Sequence, residues 1–165
     1  MNIRTAGIVN DSIVDGPGLR LTVFAQGCPH HCPGCHNPQS HSFEGGEVRD
    51  TETILEMVEE NILLDGLTLS GGEPFAQAEA CAELAKGAHK VGLNVWCYSG
   101  YTFETLLNGA PAWRTLLENI DILVDGPFIL AQRTLDARFR GSSNQRILDV
   151  RAALAAGQPV LSSYN

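Results

Sequence analysis

Apolar and polar residues alternate through Leu19-Arg20-Leu21-Thr22-Val23-Phe24-Ala25. This puts Leu19, Leu21, Val23 and Ala25 on one face of a strand. Asp15-Gly16-Pro17, just before it, is a turn signal. From Thr53 to Leu63 the period lengthens, so Ile54, Leu55, Val58 and Ile62 share one face of a helix. Thr53 and Glu56 have the spacing of a capping box. Leu67 to Ser70 reads as a short strand, Gln77 to Lys90 as a helix, and Leu93 to Cys97 as the next strand. Helical patterns follow over Thr102–Leu107 and Pro111–Asn119, and a further strand spans Ile120–Val124. Near the end, Arg146-Ile147-Leu148 reads as a strand, with Asp149 capping a helix from Val150 to Ala156.

Strands alternating with helices at this spacing predict an α/β fold of βαβ units on a mainly parallel sheet. A full (β/α)₈ barrel takes about 250 residues. A chain of 165 residues therefore predicts a partial, incomplete TIM-like barrel with helices outside, forming one domain over residues 1–165. In such folds ligands bind beyond the carboxyl ends of the strands. The chemically notable residues of this sequence follow strand ends: Cys28 to Cys35, then Gly71 to Pro74, then Ser99, then Asp125.

Composition narrows the classes. With 44% hydrophobic and 18% charged residues the chain is of ordinary globular make-up. No apolar run has the length of a membrane span. Met1 to Gly7 carries no long apolar stretch of a signal peptide, so a cytoplasmic location is expected. A net charge of −8 argues against nucleic-acid binding, which needs clustered Lys and Arg. Of the five cysteines, three fall within eight residues, too close together for good disulfides and better suited to a metal.

Cys28-Pro29-His30-His31-Cys32-Pro33-Gly34-Cys35 is a C-x₃-C-x₂-C loop. Thiolates hold both iron–sulfur clusters and zinc. With no fourth cysteine nearby, a [4Fe–4S] cluster here would keep one iron free of a protein thiolate. The other reading is a zinc site of three cysteines and one of His30, His31 or His36, in an interaction module without catalysis. Gly71-Gly72-Glu73-Pro74 directly follows a strand. Its glycines allow close approach to the backbone, and Glu73 offers a carboxylate to an ammonium group. A plain Gly-Gly turn before a helix is the competing reading.

Taken together, the cysteine loop and Gly71 to Pro74 resemble the radical S-adenosylmethionine superfamily. Asp15-Gly16-Pro17-Gly18-Leu19-Arg20, Phe24, Gly27-Cys28 and Cys35-His36-Asn37 resemble the opening of the glycyl-radical activating enzymes. Trp96 to Tyr101, Ile122 to Phe128 and Arg140 to Arg146 are similar to the activating proteins of anaerobic ribonucleoside-triphosphate reductase. The resemblance implies that Cys28, Cys32 and Cys35 hold a [4Fe–4S] cluster and that S-adenosyl-L-methionine binds its open iron. It implies that Gly71, Gly72, Glu73 and Pro74 receive the methionine amino group. The implied substrate is a glycine Cα on the large subunit of the reductase, and the implied electron donor is a flavodoxin or ferredoxin. Activation of another glycyl-radical enzyme, such as formate acetyltransferase, is the alternative. The wider superfamily often has an aromatic residue where this chain has Gly34, so the adenine contact passes to His36 or to the backbone of Gly34 and Cys35. Ser99 and Asp125 stand as candidate cofactor contacts, with a turn or helix cap as the competing reading. Arg140, Ser142 and Asn144 are candidates for cofactor binding or for docking the reductase. Arg20 is expected either to pair with a carboxylate or to lie in solvent. Cys81 and Cys97 are expected in the core, and His41 and His89 at the surface.

Overall fold

The computed structural model describes residues 1–165. Its strands, in chain order, are β1 (Asn2–Ser12), β2 (Arg20–Ala25), β3 (Glu47–Asp50), β4 (Gly66–Gly71), β5 (Asn94–Tyr98), β6 (Ile122–Asp125) and β7 (Arg146–Asp149). The helices are α1 (Thr51–Glu60), α2 (Ala78–Lys90), α3 (Phe103–Leu107), α4 (Pro111–Leu117) and α5 (Val150–Ala156). One seven-stranded sheet runs β3-β1-β2-β4-β5-β6-β7. The pairs β2–β4, β4–β5 and β5–β6 are parallel, whereas β1–β2, β1–β3 and β6–β7 are antiparallel. The α/β class is as expected. The sheet, however, is mixed and open, with β3 and β7 at its edges, and does not close as a barrel.

Alternation along the parallel strands sorts the side chains onto two faces. Leu21, Val23, Leu67, Leu69, Val95, Cys97, Leu123 and Leu148 join the main core. All five helices bury residues there too, including Ile54 and Val58 from α1, Leu84 from α2, Leu106 from α3, Leu116 from α4 and Ala153 from α5. Full burial of each Leu or Ile contributes about 1.5–3 kcal/mol, and this face holds most of them. The opposite face carries Arg20, Thr22, Thr68, Trp96 and Val124. It is covered by Phe139 and Tyr164, whose rings meet Trp96 edge-on at 5.2 and 5.0 Å.

Several local expectations shift. The first helix starts two residues early, because Asp50 and not Thr53 caps it by accepting from Glu52 N. It ends at Glu60, leaving Ile62 91% exposed instead of on the buried face. Arg20 is neither solvated nor paired with a carboxylate. It is fully buried and donates to Thr68 Oγ1 (2.7 Å), Leu67 O (3.0 Å), Pro17 O (3.0 Å) and Asn94 Oδ1 (2.7 Å). Burial pulls its guanidinium down to about 10. Thr68 Oγ1 donates in turn to Asp15 O at 2.7 Å, so this buried arginine anchors the turn before β2. His89 is part-buried, 2.7 Å from Asp121 Oδ2, rather than a free surface residue. Cys81 and Cys97 lie in the core as expected.

No helix is long and apolar enough to cross a membrane.

Candidate iron–sulfur site

Register brings the two motifs together. In the β2–β4 pair Ala25 faces Gly71, so the cysteine loop leaves one strand where the Gly-Gly turn leaves its neighbour. Backbone bonds then lock them: Gly72 N donates to Ala25 O (2.7 Å) and Glu73 N to Gly27 O (2.8 Å). A Cβ on Gly72 would clash with Gly27 O and stand 2.9 Å from Ser40 O. The glycine is thus required by the approach of the cysteine loop itself. Gly27 N and Cys28 N donate to Ser40 O and His41 O, which closes the loop on its far side. Gln26 Nε2 ties the same segment to Gln39 O and Ser42 O.

A cleft of about 330 Å³ opens at the carboxyl ends of the parallel strands. All three loop cysteines line it, together with His36, Gly71, Gly72 and Ser99. Gly34, Glu73, Pro74 and Asp125 do not line it. Cys28 is buried and Cys32 and Cys35 are half-buried; none is in a disulfide. Burial pushes the Cys28 thiol up from its ordinary value. Cys35 Sγ accepts from Asn37 N at 3.4 Å, the kind of N–H···S bond that tunes cluster ligands. His36 packs against Phe128 with ring centroids 5.2 Å apart.

Glu73 is the best-satisfied group of the site. Its carboxylate is fully buried and accepts from His30 Nε2 (2.6 Å), Ser99 Oγ (3.0 Å), Gly100 N (2.9 Å) and Phe75 N (3.1 Å). Of the residues proposed from sequence, Glu73 and Ser99 therefore bind each other. Asp125 also spends its carboxylate on the protein. It accepts from Phe103 N at the start of α3 and from Arg146 Nε and Nη2 on β7. Buried carboxylates met by this many donors hold the ends of their elements in place.

The sequence pattern offers His30 as a zinc ligand and carries no mark of its partnership with Glu73. His30 meets Tyr101 edge-on at 4.5 Å, and Tyr101 packs tilted on Trp113 at 4.8 Å. Trp113 Nε1 donates to Phe75 O at 2.9 Å. His41, expected at the surface, lines the cleft, and its Nε2 is buried without a partner.

Three free thiols on one cleft, without a fourth, suit a cluster that leaves one iron open to a small molecule. A family model described as a 4Fe-4S single cluster domain matches residues 14–148. The anaerobic ribonucleoside-triphosphate reductase-activating protein of Vibrio cholerae is 36% identical over 144 residues, covering 82% of this chain and 90% of that one. The chain belongs to the family of anaerobic ribonucleoside-triphosphate reductase-activating proteins.

Other activating proteins lie at similar distance. That of Escherichia coli (strain K12) is 30% identical over 148 residues, 84% of this chain and 94% of its own. That of Enterobacteria phage T4 is 30% identical over 142 residues, 81% of this chain and 86% of its own. Among solved structures, QueE from Escherichia coli overlays 62% of this chain and 54% of its own, with a TM-score of 0.48 and 14% identity. Membership in the activating-protein family, with its 4Fe-4S domain, favours the iron–sulfur reading of the cysteine loop over the zinc one.

Proposed function

We propose that this chain, acting as one domain over residues 1–165, reductively cleaves S-adenosyl-L-methionine and generates a glycyl radical on the large subunit of anaerobic ribonucleoside-triphosphate reductase. The observation that carries the reading is the in-register pairing of Ala25 with Gly71, which sets three free cysteines beside the Gly-Gly turn at one cleft. Cys28, Cys32 and Cys35 are the ligands of a [4Fe–4S] cluster. Held by these thiolates and reduced by a flavodoxin or ferredoxin, such a cluster would supply the single electron for reductive cleavage of S-adenosyl-L-methionine, the chemistry that would remove a hydrogen atom from a glycine Cα.

The chain's own residues bind and orient. Gly71 and Gly72 offer backbone close to the amino-acid end of the cofactor. Ser99 lines the cleft, and Glu73, Pro74 and Asp125 support the site without lining it. Glu73 and Ser99 hold the cysteine loop against β4 and β5, Pro74 opens the turn after Glu73, and Asp125 fixes the start of α3. Cys35 and His36 line the cleft on the side that would meet the adenine, and Gly34 adjoins them in the loop without lining it. His36 on the cleft is exposed, which suits a substrate that is a segment of another protein's backbone.

The test is anaerobic reconstitution with iron and sulfide, reduction, and addition of S-adenosylmethionine, with Cys32→Ala as control. The reading expects 5′-deoxyadenosine from the wild type and none from the variant. With the reductase present, it expects a glycyl-radical signal in electron paramagnetic resonance. Uptake of zinc alone, or a loaded cluster that never yields 5′-deoxyadenosine with the reductase present, overturns it.

A further inference from the structure

The segment between β6 and β7 runs against the charge of the chain. Residues 126–145 hold three arginines, Arg133, Arg138 and Arg140, and one carboxylate, Asp136, in a protein of net charge −8. Arg133 and Arg138 are exposed, and neither is in an ion pair. Leu135, between them in the chain, is 84% exposed, and Leu130 is 51% exposed. Apolar side chains set among arginines, with carboxylates scarce, match the make-up of a protein interface rather than of plain surface.

The segment is braced as a hairpin with Leu135 to Arg138 at its tip. Arg133 bridges to Ser142, Thr134 N donates to Gly141 O (3.1 Å) and Ser143 N to Gln132 O (2.8 Å). At its base Ile129 N donates to Ser142 Oγ (3.2 Å) and Asn144 Nδ2 to Pro127 O (2.8 Å). A tip built in advance gives up little freedom when a partner covers it. The hairpin is also continuous with the cleft. Phe128, Phe139 and Arg140 line the cleft, and Leu130 Cδ1 would stand 2.8 Å from a Cβ on Gly34 of the cysteine loop. The Arg138 guanidinium lies 4.8 Å from the centroid of the Phe139 ring, so an exposed cation is held over a ring of the cleft wall.

We propose that Arg133, Leu135 and Arg138 dock the protein substrate beside the cleft, by receiving an acidic segment of the reductase that carries an apolar residue and lies near the glycine. The inference rests on the reading that the substrate is a backbone segment of that reductase. On a chain whose net charge repels acidic segments, a cationic tip at the cleft sets where one approaches and in which orientation. The exposed leucines give a protein segment an apolar contact that a phosphate backbone does not use, and the charge of −8 disfavours nucleic acid.

The test measures binding of the reductase to the anaerobically reconstituted protein over a range of sodium chloride concentrations. Dithionite is the reductant, so no donor protein is present. Wild-type affinity is expected to fall as salt rises. The double variant Arg133→Gln/Arg138→Gln is expected to bind about tenfold more weakly at low salt and to lose most of that salt dependence. Arg133→Lys/Arg138→Lys keeps the charge and is expected to stay near the wild type. Leu135→Ser is expected to weaken binding with the salt dependence unchanged. Iron content, thermal unfolding and 5′-deoxyadenosine formed without the reductase are expected to match the wild type in all three, which separates docking from folding and from the cluster. A glutamine variant that binds the reductase with wild-type affinity and salt dependence overturns the proposal. So does one that binds the reductase normally but is reduced more slowly by flavodoxin or ferredoxin, which would make the hairpin a face for the electron donor. If the wild type neither cleaves S-adenosylmethionine nor captures the reductase, the functional reading fails and this inference with it.

Discussion

His30 Nε2 lies 2.6 Å from Glu73 Oε1 and joins the middle of the cysteine loop to the Gly-Gly-Glu-Pro turn. The loop and the turn are 43 residues apart in the chain, yet one buried carboxylate serves both, and Gly100 stands so close that a Cβ there would come within 2.5 Å of the imidazole. Removing the imidazole leaves the buried Glu73 carboxylate with one donor fewer. His30→Ala is expected to cost about 1–3 kcal/mol and to lower the iron bound per chain after reconstitution. His30→Gln, which keeps a donor, is expected to recover part of both. Thermal unfolding and iron analysis check this; an alanine variant that loads iron as the wild type does would show that the contact plays no part in holding the loop.

Gly72→Ala tests the packing of the loop more directly. The added Cβ meets Gly27 O and Ser40 O, both backbone atoms that cannot swing aside. The expected outcome is loss of cluster uptake with helix and sheet content intact by circular dichroism. Gly7→Ala is the control, since nothing stands within 4 Å of a Cβ at that position. Its iron uptake is expected to match the wild type.

Arg146 bonds the buried Asp125 at 3.0 and 2.5 Å and reaches Glu104 Oε1 at 2.7 Å. Arg146→Ala strands Asp125 in the protein and is expected to destabilise by about 3 kcal/mol or more, measurable by urea unfolding at neutral pH. The Arg146 hydrogen bond holds the Glu104 carboxyl below its ordinary value of 4.5. A carboxyl lowered in the folded state stabilises above its unfolded value and loses that effect as pH falls through the lowered one. Part of the gap between wild type and variant is therefore expected to close below about pH 4.5.

The five thiols are expected to separate by reactivity. Burial pushes Cys81 up to about 12 and Cys97 well above the ordinary thiol value, so both stay protonated and shielded at pH 8. In the cluster-free chain, iodoacetamide at that pH is expected to modify Cys32 and Cys35 first and Cys28 more slowly. Cys81 and Cys97 should react only in denaturant. Peptide mass spectrometry reads the order, and native-state labelling of Cys97 would contradict its place in the core.

The central strands and most helices were legible in the sequence because each buries a face, and burial imposes a period. Asp149 as a cap is an instance: it accepts from Ala152 N as its position before Val150 predicts. The edge and near-edge strands β3 and β1 were not legible. Glu47-Val48-Arg49-Asp50 keeps every residue at least partly exposed, so it needs no apolar alternation, and β1 carries polar and glycine residues among its apolar ones. For the same reason the antiparallel edges, which keep the sheet from reading as a mainly parallel barrel, leave no clear mark in the pattern.

The cysteine spacing, the Gly-Gly turn and their place after successive strands are properties of the chain alone, because local geometry and ligand chemistry act over a few residues. The roles of the polar side chains were decided in three dimensions. Arg20 alternates like a surface residue yet is buried, because Thr68, Leu67 and Asn94 bring acceptors to it from neighbouring strands. Glu73 and Asp125 look like groups offered to a ligand, yet their carboxylates are met by His30, Ser99 and Arg146 from distant segments. Arg140 stands at the cleft with no such partner. Whether a charged group faces a ligand or another residue depends on which donors the fold gathers around it, and one strand's sequence holds no record of its neighbours.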